Sequence, residues 1–229
     1  LGVTATGSDT TYLYRGNNLS DLGNVITAKG NLNFGKVVNV KDYGAYGTGI
    51  LALRSISIST GSKILNVDSY TFGAGNVGQA IMVPGAGASG ADLVTTIASY
   101  SSSTQVTLSD AAGTTLTGVS GTIYFGPDDT TAVNNAIAAL SSGGSLYFPA
   151  TQYGGFYIVQ SLSSFSSLNN ITIFGDGVGS QILQLVNGNN TFVFNNSCSY
   201  VKIRNLYMNG VGTSLSLIHI SEPTRRRGI

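Results

Sequence analysis

The chain reads as an all-β protein of stacked parallel strands, opened by one short helix and interrupted by a small β insert. Three observations predict this. First, short apolar runs recur from Gly144 onward: Leu146-Tyr147-Phe148 returns as Ile171-Thr172-Ile173-Phe174 and again near Val201-Lys202-Ile203. Tyr157-Ile158-Val159 likewise returns as Ile182-Leu183-Gln184-Leu185. The first two intervals are 25 residues and the third is about 30, the length at which a coil buries its apolar row against its neighbours. Second, only 9% of the 229 residues are charged, against roughly 25% in ordinary domains, and Gly, Ser, Thr and Asn abound. Such a surface suits β turns and hydroxyl-rich outer strand faces. Third, a helical face is well marked in one place, where Val133, Ala136, Ile137 and Leu140 fall at helical spacing just before the apolar run Leu146-Tyr147-Phe148.

Taken in order, residues 1–36 form a turn-rich stem or linker segment, whose weak helical face of Leu19, Leu22, Val25 and Ile26 is too short to fold alone. Its stretch NNLSDLGNVITAKGNLNFG resembles the Asn-Leu-Ser-Asp-Leu elements of bacteriophage tail-fibre and tail-spike proteins. Residues 37–49 and 127–212 carry the stacked coils. Within them, VNVKDYGAYGTG (Val38 to Gly49) and DDTTAVNNAIAALSSGGSLYFP (Asp128 to Pro149) together resemble the opening signature of the pectate-lyase-like right-handed parallel β-helix proteins. One departure stands out: members of that superfamily commonly carry Gly-Asp-Gly after the Gly-Ala pair, whereas Thr48 stands between Gly47 and Gly49 here. The resemblance implies the N-terminal coils only of a right-handed single-stranded parallel β-helix, with the short helix as its cap.

The interruption, residues 50–126, holds its own strand-like runs at Ile56–Ser59, Lys63–Val67, Ala80–Pro84, Leu93–Tyr100, Gln105–Leu108 and Thr122–Gly126. Turn signals separate them at short intervals, so the segment is a small inserted β module rather than a loop. Residues 213–229 are set aside as an artefact tail, because LSLIHISEPTR (residues 215–225) resembles the translated adapter of a sequencing library. That exclusion removes His219, Glu222 and Arg225 to Arg227, the chain's single His and single Glu among them. The chain opens on Leu1 rather than Met, so a preceding segment is expected and no location is read from the missing start.

Several chemistries are excluded or set low. A formal charge of +1 offers no basic stripe for nucleic acid or anionic membrane, and no apolar run reaches the 18 residues of a membrane span. No cofactor and no metal are expected, since without His, Glu or clustered Cys neither a metal set nor a serine-type triad assembles. Cys198 reads as an inert thiol in a strand. Asp128-Asp129 is the one adjacent carboxylate pair, and Asp129 or Thr130 is expected to cap the helix start rather than to catalyse. Gly175-Asp176-Gly177-Val178-Gly179-Ser180 reads as a turn between coils, not a phosphate loop, because a strand follows it and no Lys is placed as a P-loop needs. Asp42 is a turn or cap residue. Tyr70, Phe72 and Tyr100 of the insert are core aromatics first and glycan contacts second.

The catalytic residues are therefore unknown, and the resemblance places active groups on later coils than this chain spans. It implies the N-terminal fragment of a phage tail spike or tail fibre protein that binds bacterial capsular or lipopolysaccharide-type polysaccharide, with depolymerisation left open. It further implies a homotrimer on the virion tail, in contact with other tail proteins. The alternatives are a secreted, extracellular polysaccharide lyase or glycoside hydrolase, and an adhesive β-solenoid without catalysis.

Overall fold

The computed structural model describes residues 36–140, 143–186, 191–195, 198–210 and the backbone of 218–220. The stem expected over residues 1–36 lies outside them except for Lys36, as does the tail over 213–229 except for 218–220. In chain order the strands are β1 (Val37–Asn39), β2 (Ile50–Ile58), β3 (Ile64–Val67), β4 (Ala80–Val83), β5 (Leu93–Ser102), β6 (Gln105–Leu108) and β7 (Leu116–Gly126). The helix α1 (Thr130–Ala138) follows, and then β8 (Gly144–Phe148), β9 (Tyr157–Val159), β10 (Ile171–Gly175), β11 (Gln181–Gln184), β12 (Phe192–Phe194), β13 (Lys202–Arg204), β14 (Tyr207–Gly210) and β15 (Ile218–Ile220).

Six of these strands close into an antiparallel barrel in the order β2-β3-β6-β5-β4-β7. The others form three parallel sheets: β1-β8-β10-β13, β14-β11-β9 and β12-β15. The fold is thus a closed antiparallel barrel joined to parallel sheets, which corrects the expected right-handed parallel β-helix. The reason lies in the connections. Strands joined by a few residues can only run antiparallel, and six such strands satisfy their edges by closing on themselves. The barrel also holds the longest strands, of nine, ten and eleven residues in β2, β5 and β7, whereas those of the parallel sheets span three to five.

The parallel pairing differs from the sequence period in one detail. Ile173 of β10 lies beside Leu146 of β8, an offset of 27 residues rather than 25, while Ile182 of β11 lies beside Tyr157 of β9 at the expected 25. A slip of two residues keeps every side chain on its own face, so the apolar alternation alone could not detect it.

Three apolar clusters hold the described residues together. The parallel sheets enclose Leu146, Phe148, Tyr157, Phe165, Ile171, Ile173, Ile182 and Phe192, and α1 closes one end with Val133, Ala136, Ile137 and Leu140. The barrel is filled by Ile56, Leu65, Phe72, Ile81, Ile97, Val106, Leu108, Ile123 and Phe125. Between them, Ala80 and Met82 on the outside of β4 pack against Phe156, Ile158, Leu183 and Leu185. This third cluster explains why β9 is buried at every position: Tyr157 and Val159 face the inner core while Ile158 faces the barrel.

The chain enters and leaves the barrel through one narrow neck. Gly49 exchanges both backbone hydrogen bonds with Phe156, at 2.9 and 3.1 Å. A Cβ on Gly49 would lie 2.6 Å from Cγ1 of Ile158, and one on Gly126 would lie 2.6 Å from Cα of Gly49. Only residues without side chains allow the two passing segments to come so close.

Candidate functional site

The sheet β1-β8-β10-β13 turns one face to the core and the other to solvent. Strand alternation sends Leu146, Phe148, Ile171 and Ile173 inward, so Ser145 and Tyr147, Thr172 and Phe174, and Lys202 and Arg204 point outward. Parallel register places these outward residues in two rows. One row runs Val37, Ser145, Thr172, Lys202; the other runs Asn39, Tyr147, Phe174, Arg204.

The second row is held in place by its own contacts. Tyr147 and Phe174 stack with ring centroids 4.8 Å apart and planes 20° from parallel, and the Arg204 guanidinium carbon lies 5.3 Å from the Phe174 ring centre. The Tyr147 hydroxyl donates to Oδ2 of Asp176 at 2.7 Å, and the backbone N–H of Ala150 donates to the same oxygen at 2.8 Å. That hydrogen bond to Asp176, together with partial burial and the carboxylate's charge, holds the Tyr147 phenol above its ordinary value. Asp176 is therefore engaged by Tyr147 and Ala150 rather than by Arg204. Arg204 and Lys202 form no ion pair among the described residues. Tyr200 stands two residues before β13, in a left-handed backbone conformation with φ 54°, and is 78% exposed.

The residues singled out from the sequence have mostly structural places. Asp128, not Asp129, holds the start of α1: its Oδ1 accepts from the Thr130 backbone N–H at 2.9 Å and from the Thr130 hydroxyl, and its Oδ2 accepts from the Gln160 amide at 2.7 Å. Asp129 makes no side-chain cap and is instead buried, with one carboxylate oxygen accepting from the Tyr46 N–H at 2.6 Å and the other from the Gly47 N–H at 3.1 Å. It straps the Gly44–Gly49 turn onto the helix end. Burial pushes its carboxyl up to about 6, against the lowering pull of those backbone N–H groups. Asp42 sits exposed in the 3-10 turn Val40–Tyr43.

The Gly175–Ser180 segment is the turn between β10 and β11. Three of its amides are already used: Asp176 N–H donates to the Ser180 hydroxyl at 2.7 Å, Gly177 N–H to the Asn205 carbonyl at 2.9 Å and Ser180 N–H to the Gly177 carbonyl at 3.0 Å. Cys198 is half-buried, and its thiol faces the Phe165 carbonyl at 3.2 Å. In the barrel, Phe72 is fully buried, Tyr100 is partly covered and Tyr70 is 77% exposed, so these three share no common surface role.

The residues that converge on the solvent face, Tyr147, Phe174, Lys202 and Arg204, carry no motif. Their only signal is that they alternate with the inward-facing residues in each repeating run. Chemically the face offers N–H donors, a carboxylate acceptor, hydroxyls and aromatic carbon, without a second carboxylate among the row residues to divide acid and base roles. No protein-family model matches the chain, and no curated protein matches it.

Proposed function

We propose that this chain is a polysaccharide-binding segment of a bacteriophage tail spike or tail fibre protein, and that its solvent-facing parallel sheet is the contact surface. The observation that carries the reading is the register of Tyr147, Phe174 and Arg204 across three strands, flanked by Ser145, Thr172 and Lys202. Parallel strands repeat at about 4.8 Å, a step comparable with the length of one pyranose ring, so successive strands meet successive sugars of an extended glycan. Sugar hydroxyls accept from Lys202 and Arg204 and donate to the free hydroxyl oxygens of Ser145 and Thr172, while carbon-bound hydrogens rest on the Tyr200 ring. The tail assignment is supported by the Asn-Leu-Ser-Asp-Leu run at residues 18–22.

Binding rather than cleavage suits this face. Glycoside hydrolysis calls for two carboxyl groups flanking the bond, and among the described residues Asp176 is the single carboxylate in contact with the rows. The test is isothermal titration of the protein with purified bacterial surface polysaccharides, comparing wild type with a Tyr200→Ala, Lys202→Ala, Arg204→Ala variant. These side chains are outside the core, so the thermal transition should stay in place while affinity falls by about tenfold or more, the loss of one or two charge-assisted hydrogen bonds. Unchanged affinity in the triple variant would remove this face from the binding reaction.

A further inference from the structure

The outside of the barrel is sheltered by β9 and β11 over only part of its height. Met82 and Tyr124 lie side by side in register on β4 and β7 and pack toward Ile158 and Leu183. Further along the same two strands that cover stops, and a cleft of about 470 Å³ opens against Gly210 of β14. Its wall is amphipathic. Pro84 and Val119 supply apolar surface, Ser120 and Thr122 supply hydroxyls, and Tyr124 and Asp92 complete the lining. The volume falls within the range of small-ligand clefts, which favour junctions between packed units.

Two polar groups in the cleft have unused capacity. Asp92 accepts one hydrogen bond, from the Gly85 N–H to Oδ1 at 3.2 Å, and its second oxygen has no partner among the described residues. The Tyr124 hydroxyl has none either. Burial and the nearby Asp92 charge hold the Tyr124 phenol above its ordinary value, so at neutral pH it is a donor and acceptor beside a carboxylate.

We infer that this cleft is a second saccharide site, separate from the sheet face, that takes one neutral sugar residue. Vicinal hydroxyls of the sugar donate to Asp92 and exchange hydrogen bonds with Tyr124, and the apolar side of the ring lies on Pro84 and Val119. An acidic sugar is disfavoured because, among the described residues, no cation lines the cleft to offset Asp92. The site is independent of the sheet-face reading, since none of its lining residues belongs to that face.

The experiment is a ¹H–¹⁵N titration of the whole chain with neutral methyl glycosides (glucoside, galactoside, mannoside and N-acetylglucosaminide), with galacturonate and a quaternary ammonium salt as controls. The expected result is saturable shift changes centred on the amides of Ser120, Gly121, Thr122 and Tyr124 for at least one neutral glycoside, and none for galacturonate. Asp92→Asn should weaken that binding by about tenfold, as expected for removing a charged acceptor, and Tyr124→Phe, which keeps the packing ring, by a smaller factor. Tyr200→Ala, beside the sheet face, should leave it unchanged. The proposal is overturned if no neutral glycoside gives saturable shifts there, if the ammonium salt or galacturonate binds better, or if binding survives both cleft variants intact.

Discussion

Asp129 shows how far a residue's role depends on what the rest of the chain brings to it. Its neighbour Asp128 meets the helix start, which frees Asp129 to turn inward and hold the Tyr46 and Gly47 amides. The energetic sign is unusual for a carboxylate. Its folded value of about 6 lies above the ordinary 3.8, so between those two pH values the folded protein holds a proton that the unfolded chain has released. The contribution is therefore fully present below pH 3.8 and is lost as pH rises through about 6, with a span on the order of 3 kcal/mol from the 1.36 kcal/mol per unit of linkage. Urea unfolding of wild type and Asp129→Asn across pH 4 to 8 checks this: the stability difference between the two should shift across the window about pH 4 to 6, with wild type losing ground as pH rises. A difference independent of pH would show that Asp129 stays ionised throughout. Nothing in the adjacency of two aspartates before a helical run distinguishes the cap from the strap, because the strap's other half is some eighty residues away in sequence.

At the scale of elements, the barrel's strands were legible and its closure was not. Thr95-Thr96-Ile97, Val106-Thr107-Leu108 and Ile123-Tyr124-Phe125 alternate cleanly, and β5, β6 and β7 lie where those runs fall. Strand order is another matter. β3 skips β4 and β5 to pair with β6, and β2 pairs with β7 along nearly its whole length, a relation between distant segments that local alternation does not encode. The same limit hid the sheet face. Ser145, Thr172 and Lys202 read individually as polar fillers, and only the two-residue register shift between β8 and β10 brings Tyr147 over Phe174. The barrel interior makes a direct prediction. Phe72 follows β3 on a loop whose Thr71 and Phe72 N–H groups both donate to the Ser103 carbonyl, and its ring packs 5.4 Å from that of Phe125. Phe72→Ala leaves a cavity in a closed space and should cost about 3 to 5 kcal/mol by chemical unfolding. A cost near zero would mean that the interior collapses around the gap and that the barrel is not a packed core.

For the molecule as a whole, the barrel core and the parallel-sheet core are separate clusters within the compact unit that begins at Val37. Residues 50–126 contain their own buried cluster and satisfy their own edges, so that fragment made alone should fold, with dispersed amide resonances and a cooperative thermal transition. Failure of the isolated fragment to fold would assign its stability to the contacts of Ala80 and Met82 with Phe156, Ile158, Leu183 and Leu185. The neck at Gly49 and Gly126 adds an evolutionary consequence. Because the chain enters the barrel at Gly49 and leaves it at Gly126, two points that lie against each other, the barrel occupies its host as a cassette, and any domain whose ends meet could be exchanged for it without moving the sheets beneath. Such an exchange would keep the outward rows of β8, β10 and β13 intact while altering what stands beside them, a simple route by which one scaffold could acquire a new neighbouring surface. The newcomer would inherit one obligation: to lay an oily patch of its own over Ile158 and Leu183.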